Sequence, residues 1–248
     1  VLSQETLQIE YAGTPLHSLQ RVQWQVQIWD EKGQECEIDS AREWPFFETG
    51  LLDEEAWEGA EWIARFISLP SNVSLCSMMA ENDENQAPRF RAVFSQIPES
   101  VVQARAYIVG LGYYQLHING EKVGDAMLDP GWTTYSKRVL YSAYDVTQLL
   151  NTTNKQHAVG VELGNGWFNP LPLLHNGHQN IRQHLVRDQG LSSSRPMFRL
   201  HIFGYTKEGS PISLMKSSAG ASSDWFAAGS PTVFNNIYLG ENYDARLE

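Results

Sequence analysis

Gly110-Leu111-Gly112-Tyr113-Tyr114-Gln115-Leu116-His117-Ile118-Asn119-Gly120, residues 110–120, is the stretch whose reading decides the fold. Tyr114, Leu116 and Ile118 fall on every second position, the period of a strand that buries one face. Asn119-Gly120, followed by Glu121-Lys122-Val123-Gly124, signals a hairpin, because both residues accept the positive φ angles of a tight primed turn. Val159, Val161 and Leu163 repeat the alternation and run into Gly164-Asn165-Gly166-Trp167-Phe168-Asn169. Gly110-Leu111-Gly112 lies inside strand patterning and no helix N-terminus follows it, so it does not read as a nucleotide-binding turn.

Outward from this stretch the pattern stays strand and turn. Strands are predicted over 89–94, 104–118, 138–144, 157–163, 197–205 and 211–215. Upstream, Leu7 to Tyr11 and Val22 to Trp29 read as strands, the second alternating Val22, Trp24, Val26 and Ile28 with glutamines; Asp30 to Gly33 makes a turn, and a short strand leads to Pro45-Phe46-Phe47. Asp53 caps a short acidic helix inside a linker, and Asp145 caps one helical turn. Residues 168–194 carry no clean periodicity and hold three of the seven histidines. A loop of that length is usually functional. The fold class is all-β, with a partial domain over 1–47, a linker over 48–61 and a large domain over 62–248.

Charge and composition narrow the function. A formal charge of -11 over 248 residues, with eighteen Lys and Arg scattered and no basic stripe, repels phosphate backbones and excludes nucleic acid as a partner. No apolar run approaches the ~18 residues that would span a bilayer, so no membrane partner is expected. The chain starts at Val1 without a basic and apolar leader, and any targeting signal is expected upstream. Cys36 and Cys76 form no disulfide framework and read as two inert thiols. The serine-hydrolase, zinc-protease, phosphate-loop and paired-cysteine signatures are all absent. His175, His178 and His184 read as loop histidines, since a loop does not preset tetrahedral geometry. Glu81-Asn82-Asp83-Glu84 lacks the spacing of a calcium loop and reads as solvated. Asn72-Val73-Ser74 and Asn151-Thr152-Thr153 are formal glycosylation acceptors.

What remains is a set of aromatic and polar residues on loops: Asp129, Trp132, Tyr135, Asn165, Trp167 and Asn169, with Phe168 among them. Sugar rings present an apolar face that stacks on indole, and their hydroxyls need fixed carboxylate and amide partners, so these six are the candidate carbohydrate-binding residues. The alternative is that Trp132 and Trp167 plug the ends of the β framework.

The ordered phrases Val109-Gly110-Leu111-Gly112-Tyr113-Tyr114, Ile118-Asn119-Gly120-Glu121-Lys122-Val123-Gly124, Leu128-Asp129-Pro130-Gly131-Trp132-Thr133, Arg138-Val139-Leu140-Tyr141, Tyr144-Asp145-Val146-Thr147 and Leu163-Gly164-Asn165-Gly166-Trp167-Phe168 resemble the N-terminal β-sandwich module of bacterial α-L-rhamnosidases of glycoside hydrolase family seventy-eight. Phe234-Asn235-Asn236-Ile237-Tyr238 and Gly240-Glu241-Asn242-Tyr243-Asp244-Ala245-Arg246 look like its closing strand. Val22 to Gln34 and Phe47 to Leu52 resemble the last strands of a preceding fibronectin-type-III-like domain.

The resemblance implies a jelly-roll β-sandwich behind a partial fibronectin-like set of strands. It also implies a fragment, inactive alone, whose partner is the (α/α)6 catalytic barrel of the same parent chain. That barrel supplies the general acid and base of an inverting hydrolysis, and nothing here matches it. Some family members carry a related sandwich that binds L-rhamnose with the help of calcium, which makes a rhamnose-containing glycan the candidate ligand and calcium the candidate cofactor. A bacterial, periplasmic or extracellular setting follows. The competing expectation is a structural spacer without ligand.

Overall fold

The computed structural model describes residues 11–35, 44–65, 86–95, 97–150, 155–169, 195–220, 223–237 and 239–248. Two compact units divide the chain, Val1–Gly59 and Ala60–Glu248. Both cysteines, His175, His178, His184, the acidic run at 81–84 and both glycosylation acceptor asparagines lie outside the described residues.

In the first unit β1 (Arg21–Gln23) pairs antiparallel with β2 (Phe46–Glu48). The Arg21 guanidinium bonds Glu48 Oε1 at 2.7 Å and lies 4.2 Å from the centroid of the Phe46 ring. The expected strand from Val22 to Trp29 is cut short. After Trp24 N–H donates to Pro45 O at 3.0 Å the ladder ends, because Pro45 has no N–H to return. Trp24, Val26 and Ile28, expected to bury one face, are exposed. The turn at Asp30 forms as read: Asp30 Oδ1 accepts from Lys32 N at 2.8 Å and Gln34 N at 2.7 Å, and Gly33 takes φ +77. Within the stretch read as a linker, Thr49 Oγ1 accepts from Gln20 N at 2.9 Å and Leu51 is buried. Asp53 Oδ1 accepts from Ala56 N at 2.8 Å at the start of the short helix expected there, which is a single 3-10 turn over Glu55–Trp57.

The second unit is an antiparallel β-sandwich. One sheet runs β11 (Pro211–Lys216), β10 (Met197–Tyr205), β5 (Gln103–Leu111), β8 (Tyr141–Asp145), with β3 (Ile63–Ala64) also on β10. The facing sheet runs β12 (Phe226–Gly229), β4 (Pro88–Ser95), β9 (Gln156–Gly164), β6 (Tyr113–Ile118), β7 (Glu121–Lys122). A separate hairpin pairs β13 (Thr232–Asn236) with β14 (Gly240–Tyr243). The core lies where the alternation put it, with Leu116, Ile118, Val159, Val161 and Leu163 of one sheet against Ile108, Phe198, Leu200 and Ile202 of the other. Phe198 sits edge-on between Phe90 at 5.1 Å and Trp225 at 5.2 Å. Burial of one such ring contributes about 2–3 kcal/mol. β10 is buried on both faces, as its near-continuous apolar run requires.

The run 104–118, expected as one strand, is two strands in different sheets. Gly112 separates them at φ +100 and turns the chain through the corner of the sandwich. A Cβ there would overlap the carbonyl oxygen of Gly164, so the corner admits only glycine.

The hairpin at Asn119-Gly120 forms with φ +53 and +88. Asn119 also braces its neighbours: Oδ1 accepts from Ala158 N at 3.0 Å, and Nδ2 donates to Leu149 O at 2.8 Å and lies 3.1 Å from His157 Nδ1. His157 is buried against the Phe94 ring, and that burial holds its pKa below the usual histidine value. Asp145 caps α1 (Thr147–Leu150) through Thr147 N at 3.0 Å and pairs with Arg105 at 2.7 Å.

Candidate functional site

The loops that follow β9 and precede β8 meet at one end of the sandwich. β9 finishes at Gly164, and the next residue, Asn165, is buried with its amide engaged on two sides. Its N–H donates to Asn235 Oδ1 at 2.7 Å, its Nδ2 donates to Asn235 O at 3.0 Å, and its Oδ1 accepts from Asn169 Nδ2 at 2.7 Å. Asn169 N–H closes the turn on Asn165 O at 3.0 Å. Gly166 at φ +51 packs beside Tyr113, which leaves Trp167 standing next to the Tyr113 side chain.

Trp167 stacks on Trp132 with ring centroids 4.7 Å apart and planes inclined by 12°. One face of Trp132 is therefore taken by its neighbour, yet half of the residue, 50%, stays exposed. Tyr135 meets the buried Phe168 edge-on at 5.4 Å. Burial pushes the Tyr135 hydroxyl up to about 12, with the nearby Tyr113 adding to the shift. This end of the molecule is a braced aromatic platform that presents a single open indole.

Asp129 belongs to a different network. Its Oδ2 accepts from Tyr114 OH at 2.5 Å, Ser142 Oγ at 2.7 Å and Tyr144 OH at 2.8 Å. Its carbonyl accepts from Tyr114 N at 3.0 Å, so the carboxylate ties the segment after β7 to β6 and β8. Burial, and then the bond to Asp129, hold the Tyr114 hydroxyl well above the usual tyrosine range. Tyr144 is raised for the same two reasons.

Of the six residues chosen from sequence, the structure gathers Trp132 and Trp167 into one stack and Asn165 and Asn169 into one turn. Tyr135 joins Phe168 beside them, and Asp129 is set in its own hydroxyl cluster. Sequence reasoning missed Tyr113 and Asn235. Asn235 stood within a phrase marked as the closing strand, but its pairing with Asn165, across 70 residues, has no local signal. Among the described residues no three His, Cys, Asp or Glu side chains gather where they could share a metal ion. No described helix is long and apolar enough to cross a membrane.

A family model described as the α-L-rhamnosidase N-terminal domain matches residues 99–248, and one described as a Rha78A-like N-terminal immunoglobulin domain matches residues 1–53. The latter model is immunoglobulin, where the sequence led to a fibronectin-type-III-like expectation. An α-L-rhamnosidase of Formosa agariphila is 33% identical over 258 residues, covering 100% of this chain and 25% of the relative. The α-L-rhamnosidase structure from Dictyoglumus thermophilum superposes with a TM-score of 0.72 at 32% identity, covering 100% of this chain and 25% of that one. The structure of the Aspergillus terreus enzyme gives 0.72 at 27% identity, covering 99% and 25%. This chain thus spans about a quarter of the length of the curated relatives it matches first.

Proposed function

Because the chain belongs to the α-L-rhamnosidase N-terminal domain family, we propose that it is an accessory, non-catalytic module of an enzyme that removes terminal α-L-rhamnosyl groups. The observation that carries this reading is the commitment of Asp129. Inverting glycoside hydrolysis needs two carboxyl groups facing a shared space, one to protonate the leaving oxygen and one to activate water. Asp129 is the carboxylate of the candidate set, and its Oδ2 is filled by three hydroxyl donors that hold the fold. The chemistry is then the task of the (α/α)6 barrel of the parent chain, which this module packs against.

The open face of Trp132 supports a further role as a contact for a rhamnose-type sugar. L-Rhamnose has an apolar face carrying a methyl group, and a rigid, half-exposed indole backed by a second indole offers it a surface with little ordering cost. The described residues bring no three carboxylate or imidazole side chains together for calcium, and no step here passes through a metal. A specific observation favours the spacer reading as the second choice: Trp167 already covers one face of Trp132, and Asn165 spends its amide on Asn235 and Asn169.

Isothermal titration of L-rhamnose, with and without calcium, separates the two readings. Weak saturable heat with a Kd of about 1 mM is expected, with or without the ion, and Trp132→Ala is expected to weaken it roughly tenfold. A chain that gives no heat at millimolar sugar is a spacer, and the sugar role is then dropped.

A further inference from the structure

The outer face of the β12-β4-β9-β6-β7 sheet carries a groove of about 590 Å³ that no local sequence pattern marks. Register builds it. Phe226 of β12 pairs with Arg91 of β4, Arg91 with Gly160 of β9, and Gly160 with His117 of β6, so these four residues form one cross-strand row. The next row on the same face runs from Ala228 through Arg89 to Glu162. Side chains two apart on a strand share a face, which puts Arg89 and Arg91 side by side about 7 Å apart.

Gly160 makes the depression. A Cβ there would meet only His117 Cβ and the Phe90 carbonyl, both at 3.8 Å, so the space above it is open. Arg91 and His117 stand on either side, two strand spacings or about 10 Å apart, with small Ala158 beyond Gly160 on the floor. Such a gap admits one pyranose ring. Phe226 stands at the rim with 74% of its surface exposed, an unusual position for a large aromatic on a paired strand.

The charges decide what the groove takes. Arg89 and Arg91 form no ion pair with a described carboxylate, and their guanidinium groups donate no hydrogen bond to a described residue. Two adjacent guanidinium groups with no ion pair among the described residues, Arg89 having Glu162 opposite it in register, are a fork-shaped donor array suited to carboxylate or sulfate oxygens. They sit in a chain of net charge -11, so the local sign runs against the molecule's own field. That field disfavours a polyanion at long range and leaves room for one anionic substituent at contact. Beside the arginines, His117 and Glu162 can serve hydroxyls and Phe226 the apolar face of a ring, the composition of a saccharide site.

We propose that this groove is a binding subsite for a pyranose bearing one anionic group, a carboxylate or a sulfate ester, with Arg89 and Arg91 holding the anion and Phe226 lying against the ring. It is separate from the Trp132 platform and stands whether or not that platform binds L-rhamnose.

The test titrates the chain with D-glucuronate, with a galactose monosulfate, with neutral L-rhamnose and with inorganic sulfate, following the perturbation of backbone amide signals. One of the two acidic sugars is expected to shift β4, β9 and β12 signals saturably at millimolar concentration, and which one does so identifies the anion. Arg91→Gln is expected to weaken that sugar at least tenfold. Gly160→Val, which keeps both charges and fills the floor with a strand-favouring residue, is expected to abolish it. Neutral L-rhamnose is expected to leave these signals in place. Three results overturn the proposal: no saturable shift with either acidic sugar, undiminished binding in the Gly160→Val chain, or inorganic sulfate binding as tightly as the acidic sugar that binds.

Discussion

Gly112→Ala is expected to lower the stability of the chain by about 3–4 kcal/mol, a large part of the 5–15 kcal/mol that holds a typical domain together. Two effects combine. The residue sits at φ +100, where an L side chain is strained, and the added Cβ would overlap the Gly164 carbonyl oxygen while lying 3.2 Å from both Asn165 O and Pro196 Cβ. Those atoms are backbone and a proline ring, so none can swing away. Relief requires moving β6 relative to β9, which breaks the Tyr113 to Gly164 end of their ladder. Gly160→Ala is the matched control, because its Cβ meets nothing nearer than 3.8 Å, and it should change stability by less than about 1 kcal/mol. Urea unfolding followed by tryptophan fluorescence reads both. Equal midpoints for the two variants would remove the corner from the account.

Asp129→Asn is expected to cost about 2–4 kcal/mol, since charge-assisted hydrogen bonds are lost and the amide cannot accept from three hydroxyls on one atom as a carboxylate does. The same change has a titration signature. A carboxylate accepting from a tyrosine holds the proton on the phenol, and removing it lets Tyr114 and Tyr144 ionise nearer to the ordinary tyrosine value, with burial still holding them somewhat high. Raised folded pKa values stabilise the fold below the unfolded tyrosine pKa, about 10, and that stabilisation is lost as pH rises beyond it. The wild-type chain should therefore keep protonated tyrosines further into alkali than Asp129→Asn, as ultraviolet absorbance of tyrosinate reports. Unchanged stability and an unchanged tyrosine titration would place Asp129 outside the framework and return it to the ligand site.

Much of the fold was legible because its cause is local. Strict alternation in β6 and β9, the Asn119-Gly120 turn and the Asp145 cap are each decided within a few residues, and the structure has them where the pattern put them. The corner at Gly112 was not legible, since β5 and β6 both read as strand and period alone does not say that a chain changes sheets between them. Val22 to Trp29 failed for the opposite reason: its alternation was strong, but a strand also needs a partner, and Pro45 ends the pairing. At the candidate site the residue types attracted interest, but the partners each takes within the fold were not legible. Whether an asparagine or aspartate meets a ligand or its own fold depends on partners such as Asn235 and Ser142, which lie far away in sequence or across the sheet. The groove over Gly160 depends wholly on which strands are neighbours, so Arg89, Arg91 and Phe226 drew no notice until the register was known.

The accessory, non-catalytic reading is tested most directly by assaying this chain for release of the aryl group from an aryl α-L-rhamnoside. No turnover above buffer is predicted at any enzyme concentration that keeps the chain in solution. Turnover that survives repurification and disappears in Asp129→Asn, while that variant remains folded, would contradict the account.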